Sequence, residues 1–345
     1  MNYKIIFLTI VVSNLAMAEE LLLGDFLKRV KEQNLSLKQE VAKLSSVEAV
    51  ASLGVRLPPP MLELSQRKED GGVTTNGFEV TQEIPFPTKL SSDYSARRYA
   101  ALAQKEMFQA NYNETLAKAK LTYIEFWIAQ EQVNLLNDKK SILVQHLKLS
   151  RSAVRSDSFL SIHLLKAESD MDFLENEIES QQQNLREKQI VLAEILNEEA
   201  DAFRPTAIEP ELSPIPPKVK SNISPQVEAL RLTAESFKAQ EVVAKSSWLP
   251  DFTLKYEEME MANVSAGRYK EITFGVTLPF LYFWEPYSEV KRAKADSLQA
   301  EFNLNRNNKN IESKIAQLYS KAESVLKQIS NLKNKLIPRA GKRKR

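Results

Sequence analysis

The sequence predicts a mainly α fold with a minor β part. It reads as a tandem structural repeat of long antiparallel coiled-coil helices with two β-hairpins per chain. Three observations carry that reading. Two stretches, Pro60 to Phe86 and Pro250 to Phe283, alternate apolar and polar residues with strand periodicity around a polar loop. Between and after them, leucines and isoleucines recur at spacings of seven over long runs free of proline and glycine, the mark of coiled-coil helices. The whole pattern then returns in one register: Pro279 follows Pro85 by 194 positions, as Ile315 follows Leu121.

Composition narrows the function. The chain has 345 residues, with 47 basic and 45 acidic side chains that nearly cancel, so nothing points to nucleic acid or to an acidic substrate. Only 8 glycines argue against phosphate-cradling loops and against enzyme folds rich in tight turns. With no cysteine, the sequence offers no disulfide, thiolate metal site, cysteine nucleophile or acylated N-terminal cysteine. Residues 1–18 read as a cleavable signal peptide. Lys4 precedes the apolar run Ile5 to Val12, and Ala16-Met17-Ala18 supplies the small-residue cleavage site. The run is far shorter than the ~20 apolar residues that span a bilayer, and no later stretch qualifies, so any membrane insertion must use strands.

The first repeat covers residues 19–201. Phe26, Val30, Leu37, Val41, Leu44 and Val47 recur at helical spacing from Leu21 to Leu57, with a break at Asn34. Pro58-Pro59-Pro60 ends the helix, because the residue before a proline is kept out of the α region. The hairpin at 60–86 pairs Met61-Leu62-Glu63-Leu64 with Phe78-Glu79-Val80-Thr81-Gln82-Glu83-Ile84 through a Gly71-Gly72 loop. A helical hairpin follows over 91–197. Leu121, Ile128, Leu135, Ile142 and Leu149 form the expected seam on its outgoing arm; Leu164, Met171, Ile178, Leu185 and Leu192 form it on the returning arm. The polar run from Arg151 to Ser161 is the tip between them.

Residues 202–225 hold six prolines and read as a linker. The second repeat, 226–345, carries a helix, a hairpin at 250–280 and a long helix at 286–337. In its hairpin, Phe252, Leu254 and Tyr256 alternate with polar residues, as do Ile272, Phe274, Val276 and Leu278. On this alignment Arg345 corresponds to position 151, so the second copy has no counterpart of the returning helix and the expectation is a C-terminally truncated repeat. The basic ending Lys342 to Arg345 reads as an interrupted frame before it reads as a ligand for nucleic acid or anionic lipid.

Through GFEVTQEIPFP and ITFGVTLPF, the sequence resembles the TolC-like outer-membrane efflux proteins. Each hairpin leads into a helix rich in alanine, lysine and arginine, Tyr94 to Lys105 and Tyr287 to Ala300. SFKAQEVVAKSSWLPDFTL looks like the family's entry to its second hairpin, and SFLSIHLLKAESD like its tip-proximal segment, without the glycine that commonly precedes it. The likeness runs from Leu21 to about Pro338, and the first hairpin is similar to the heavy-metal-efflux (CzcC-like) branch.

The resemblance implies two β-hairpins per chain that join a trimeric transmembrane β-barrel, with the helices continuing as a tunnel. Four strands left open in lipid would strand their backbone groups, and three chains would close the barrel. It implies a passive exit duct of a tripartite or type I secretion system, outer-membrane lipid around the barrel, a periplasmic adaptor and an inner-membrane pump as partners, and no enzyme activity and no cofactor. Leu62, Leu64, Phe78, Val80, Phe252, Leu254, Ile272, Phe274, Val276 and Leu278 would face lipid or a neighbouring chain. Phe280, Tyr282, Phe283 and Trp284 would suit the inner membrane–water interface. Arg155, Ser156, Asp157, Ser158 and Phe159, at the tip, would meet the adaptor. A plain helix–helix turn is the equal reading of those five, and Asp157 a candidate for a charged constriction.

Other chemistry is weaker. His146 and His163 flank the tip, and three copies would place a ring of imidazoles there; solvated histidines are the plainer reading. Glu257, Glu258 and Glu260 suggest a divalent cation, and an ordinary solvated loop suits them better. Two other classes remain: a periplasmic adaptor, which would carry one helical hairpin between Gly-rich β domains, and a soluble periplasmic coiled-coil scaffold. A truncated, non-functional efflux protein is the third alternative.

Overall fold

The computed structural model describes residues 19–68, 74–156, 161–211, 214–217, 224–260 and 267–342. The signal segment, the Gly71-Gly72 loop and Asp157, Ser158 and Phe159 of the tip lie outside them. In chain order the elements are β1 (Glu19–Leu21), α1 (Leu23–Gln33), α2 (Leu35–Ser52), β2 (Met61–Lys68), β3 (Thr74–Ile84), α3 (Pro87–Ser156), α4 (Ser161–Leu196) and β4 (Pro205–Ala207). There follow α5 (Pro225–Ser246), β5 (Phe252–Glu260), β6 (Arg268–Val276), a 3-10 turn (Pro279–Tyr282), α6 (Trp284–Asn331), a π-helical turn (Leu332–Leu336) and α7 (Ile337–Lys342). The fold is mainly helical with antiparallel sheet. The π turn sits one turn ahead of Pro338, whose missing N–H leaves the carbonyl of Asn334 without its usual helical donor.

The chain divides into two compact units, one of residues 1–39 and 111–214, the other of 40–110 and 215–345. The first holds a large apolar cluster near its chain ends, and a smaller one of Leu136, Leu174 and Ile178 between α3 and α4. Phe26 and Val30 of α1, four residues apart and so on one face, meet Ala119, Tyr123 and Phe126 of α3, Leu192, Ala193 and Leu196 of α4, and Phe203 and Ala207 beyond it. The break expected at Asn34 has a chemical cause. Its carboxamide oxygen accepts the N–H of Leu37 at 3.1 Å, capping α2, while its nitrogen donates to the Ile195 carbonyl at 2.9 Å. At the end of α4, Asn197 turns left-handed (φ 56°), and the N–H groups of Asn197 and Glu198 return to the carbonyls of Glu194 and Ala193. That is a Schellman closure, with asparagine supplying the conformation glycine usually provides.

Tyr123 ties the ends of this unit together. β1 and β4 form a short parallel pair. The fully buried Tyr123 hydroxyl lies 2.6 Å from the Leu21 carbonyl and 2.8 Å from that of Ile208, and accepts the Ile208 N–H at 3.1 Å. Burial pushes the phenol above its ordinary range, which keeps it protonated and donating. Gln130 caps the other edge of β4, exchanging two hydrogen bonds with Ala207 at 3.0 Å each. Replacing Tyr123 with phenylalanine is expected to cost about 1–3 kcal/mol, because buried backbone groups lose their partner while packing is kept. A lowered unfolding midpoint with unchanged helicity at low denaturant is the measurement.

The expected helical hairpin of α3 and α4 is present, and its polarity is visible in its ion pairs. Lys139, Lys140 and Arg151 meet Glu177, Glu175 and Glu168, so residues advancing on one helix meet residues receding on the other. The returning-arm stripe faces inward, with Ile178 and Leu192 buried. The outgoing-arm stripe does not. Leu121, Leu135 and Leu149 are 61%, 67% and 70% exposed, and the inward face of α3 is formed by Tyr123, Phe126, Ala129, Val133, Leu136 and Leu147. Successive residues turn by ~100°, so neighbours such as Leu135 and Leu136 serve different faces. One helix thus carries two apolar stripes.

In the second unit α5 packs against α6, and small residues of both helices lie inside. Ala229, Ala234, Ser236, Ser297 and Ala300 are all buried, which permits close approach. Ser236 also donates to the Ala96 carbonyl of α3 at 2.9 Å. At the end of α2, Gly54 adopts φ 63°, the left-handed position that ends the helix before Pro58 is reached. Arg97 then donates to the carbonyls of Val50 and Gly54 at 3.1 and 2.8 Å.

Candidate functional site

The two hairpins, far apart in sequence, pair edge to edge. They form one four-stranded antiparallel sheet of order β2-β3-β5-β6, in which the inner strands β3 and β5 join the two repeats. β2 and β6 are its edges and carry unpaired backbone groups on their outer sides.

Residues directly opposite in an antiparallel pair share a face. The register therefore sorts every strand residue. One face holds the row Leu62, Val80, Tyr256, Ile272 across the four strands, then Gln82, Leu254, Phe274, then Ile84, Phe252, Val276. Leu64 and Phe78 extend it on the other side. Nine of the ten strand positions singled out in the sequence thus lie on this one face; Leu278 falls past the end of β6. Leu64, Ile272 and Phe274 are among the most exposed apolar side chains of the chain, at 78%, 74% and 65%. Ring contacts knit the face together: Phe252 stacks on Phe274 at 5.8 Å and Phe78 meets Tyr256 at 6.0 Å. From Ile84 to Phe78 the strand advances roughly 20 Å at about 3.4 Å per residue.

The opposite face is polar, and its chemistry is not legible in the linear sequence. Glu63, Glu79, Glu257 and Glu271 stand abreast in one cross-strand row. Donors separate them. Lys255 reaches Glu79 at 2.8 Å and Glu257 at 3.2 Å, Thr81 donates to Glu79 at 2.9 Å, and Thr273 and Tyr269 donate to Glu271. Gly77 sits on the same face between Ser65 and Met259; a Cβ there would lie 3.0 Å from the Glu258 carbonyl and 3.1 Å from the Ser65 hydroxyl. The acidic trio read from the sequence is split by the pleat. Glu257 belongs to the carboxylate row, whereas Glu258 pairs with Arg268 at 2.8 Å and Glu260 accepts from Asn76 at 3.1 and 3.3 Å, both on the other face.

Where strand becomes helix, Asp251 holds the sheet to α3. Its carboxylate accepts the Phe86 N–H at 2.9 Å and both its oxygens meet the Lys89 ammonium, at 2.8 and 2.7 Å. Its own N–H donates to the Thr277 hydroxyl at 2.7 Å, and its carbonyl accepts the Thr277 N–H at 2.9 Å. One residue therefore fastens the exits of both hairpins.

α3 ends at Arg155 and Ser156, with Arg155 exposed, and α4 resumes at Ser161. His146 and His163 are both exposed. Among the described residues no group of three or more His, Cys, Asp or Glu is placed to hold a metal ion, and no helix is long and apolar enough to cross a membrane.

No protein-family model matches the sequence, and comparison with curated proteins gives no match either. Solved structures do match. The outer membrane protein VceC of Vibrio cholerae superposes with a TM-score of 0.77 at 15% identity, over 90% of this chain and 81% of that one. The CmeC outer membrane channel of Campylobacter jejuni gives 0.77 at 15% identity, over 93% and 76%. CusC, described for its folding and transmembrane channel formation, gives 0.75 at 14% identity, over 92% and 79%. At such identities the likeness concerns the fold. The chain has the fold of the TolC-like outer-membrane channels.

Proposed function

We propose that the chain is one protomer of an outer-membrane efflux duct, a passive conduit that works with a periplasmic adaptor and an inner-membrane pump. The observation that carries this reading is the open-edged sheet with one apolar and one carboxylate-lined face. Its apolar stretch, roughly 20 Å along β3, is of the order of the ~25 Å apolar band of outer-membrane barrels. Alone it has two unpaired edges. Three copies, pairing β6 of one with β2 of the next, would close a barrel with no edge in lipid. The export signal read at residues 1–18 and the exposed second stripe of α3 agree with such an assembly. The tip at Arg155 to Phe159 would receive the adaptor. The test is fractionation together with detergent electrophoresis: the protein should sediment with outer membranes and run as a trimer that heating dissociates. A monomer in the soluble periplasm would sink the duct reading and leave the scaffold alternative.

In that assembly the glutamate row becomes a ring on the inner wall, where aligned carboxylates favour cations. Neutralising Glu79 and Glu257 together to glutamine is expected to lower the cation-to-anion permeability ratio at least about threefold, as weakened attraction predicts. The reversal potential of single channels under a salt gradient measures it, and an unchanged ratio would remove the row from the conduction path. For cargo, the likeness of the first hairpin to the heavy-metal branch predicts that deleting the gene lowers tolerance to transition-metal ions. Unchanged metal tolerance with lost drug tolerance would reassign the cargo.

A further inference from the structure

Charge on the polar face of the sheet is unevenly compensated. Lys255 stands one row nearer the helices than the four glutamates, opposite Thr81 on β3 and Thr273 on β6. Two residues along β5 from Glu257, it shares that residue's face and reaches across to β3. Its ammonium lies 2.8 Å from the Glu79 carboxylate and 3.2 Å from that of Glu257, and all three side chains are half-buried. Its own row of Met61, Thr81 and Thr273 holds no acid. In the row on the helix side stands Glu83, with which it forms no ion pair. The ammonium is therefore committed to the Glu79–Glu257 pair.

The outer members of the row have no such partner. Glu271 on β6 is held by the hydroxyls of Thr273 and Tyr269, which order its carboxylate without cancelling its charge. Glu63, exposed on β2, has no partner for its carboxylate among the described residues. Arg67, the other basic side chain on this face, lies two rows farther from the helices. Compensation is thus confined to the inner strands. Two carboxylates and one ammonium leave a net charge of −1 at the centre of the row, against −2 without the lysine. A ring of carboxylates attracts cations, and conduction also requires that it release them. A tethered ammonium is a counter-ion that cannot leave, and half-burial keeps salt from screening it as it would an open surface pair.

We propose that Lys255 is a selectivity-setting residue of the duct, a built-in counter-ion that holds the carboxylate row below full charge so that cations pass without being retained. That role rests on the conduit reading above, since only a closed barrel turns the row into a ring. A trimer carries three such lysines, one at the junction of the two repeats in each chain. Glu63 and Glu271, on the edge strands, keep the ring attractive to cations; Lys255 limits how strongly it holds them.

The full chain is reconstituted in planar bilayers, and reversal potentials are read under a potassium chloride gradient. Lys255→Met is expected to raise the cation-to-anion permeability ratio at least about twofold, and Lys255→Arg to leave it unchanged. Calcium, which carboxylate oxygens bind, should reduce the potassium current of Lys255→Met at a concentration at least about threefold lower than in the unaltered channel. Because the sequence has no cysteine, Lys255→Cys allows modification of the assembled channel at this one position. A methanethiosulfonate bearing an ammonium should return the ratio to its original value, and one bearing a sulfonate should raise it further. A ratio that neither the lysine replacements nor the reagents move, in channels where Glu79→Gln with Glu257→Gln lowers it, would overturn the role of Lys255 and leave the duct standing. A ratio that none of these changes moves would overturn that role and take the whole row out of the conduction path. Loss of the trimer in Lys255→Met and Lys255→Cys alike would make the lysine a brace of the sheet and overturn its part in selectivity. An unaltered chain that forms no channel would overturn the conduit reading, and the role of Lys255 with it.

Discussion

Phe274→Arg is expected to abolish stable insertion, whereas Thr273→Arg, one residue away, is expected to be tolerated. Phe274 lies opposite Leu254 on the apolar face, is 65% exposed and stacks on Phe252. In the proposed barrel it points at acyl chains, where an arginine costs about 2–4 kcal/mol near the bilayer midplane. Three-fold symmetry repeats that penalty in every protomer, which is comparable to the whole stability of many folded domains. Thr273 lies opposite Lys255 on the polar face, beside Glu271, Glu257 and Glu79, so an added guanidinium there finds carboxylates and water. Outer-membrane fractionation and heat-modifiable migration of the two variants decide the matter. Equal behaviour would mean that the faces of the sheet are not sorted between lipid and lumen.

That contrast depends on information the sequence holds unevenly. Alternation in β5 and β6 was enough to find the strands and their apolar face, because the side-chain period of a strand is two and one face here is almost wholly apolar. The carboxylate row was not legible. Glu63, Glu79, Glu257 and Glu271 come from four strands, and they align only once β3 has paired with β5 across most of the chain. Periodicity fixes which face a residue takes and says nothing of which strand lies next to it. The Asp251 clasp was hidden for the same reason, since its partners Phe86, Lys89 and Thr277 belong to both repeats. The cap at Asn34 was half legible: a break was apparent, and its bond to Ile195 required the fold.

The outgoing helix makes the sharpest case, and it carries the second large expected effect. The heptad of Leu121, Ile128, Leu135, Ile142 and Leu149 was a sound reading of a coiled-coil stripe and a wrong assignment of its partner. A seven-residue repeat identifies a face that wants covering; it cannot tell the helix that follows in the chain from a helix of another chain. Here α4 packs against the neighbouring stripe of α3, through Leu136 and Leu143, and leaves the heptad outside. Leu135→Glu with Ile142→Glu is therefore expected to leave the monomer folded, since both side chains are 67% exposed, and to prevent trimer formation. Covering each such side chain stabilises by about 1.5–3 kcal/mol, and the pair recurs at every interface of a cyclic trimer. Leu174→Ala should do the opposite. Leu174 is 2% exposed between α3 and α4, and its truncation should destabilise the hairpin by about 2–5 kcal/mol whether or not the chain is assembled. Light scattering for assembly and circular dichroism melts for folding separate the two outcomes. A glutamate pair that assembles like the wild type would show that this stripe meets something other than a second copy of the chain.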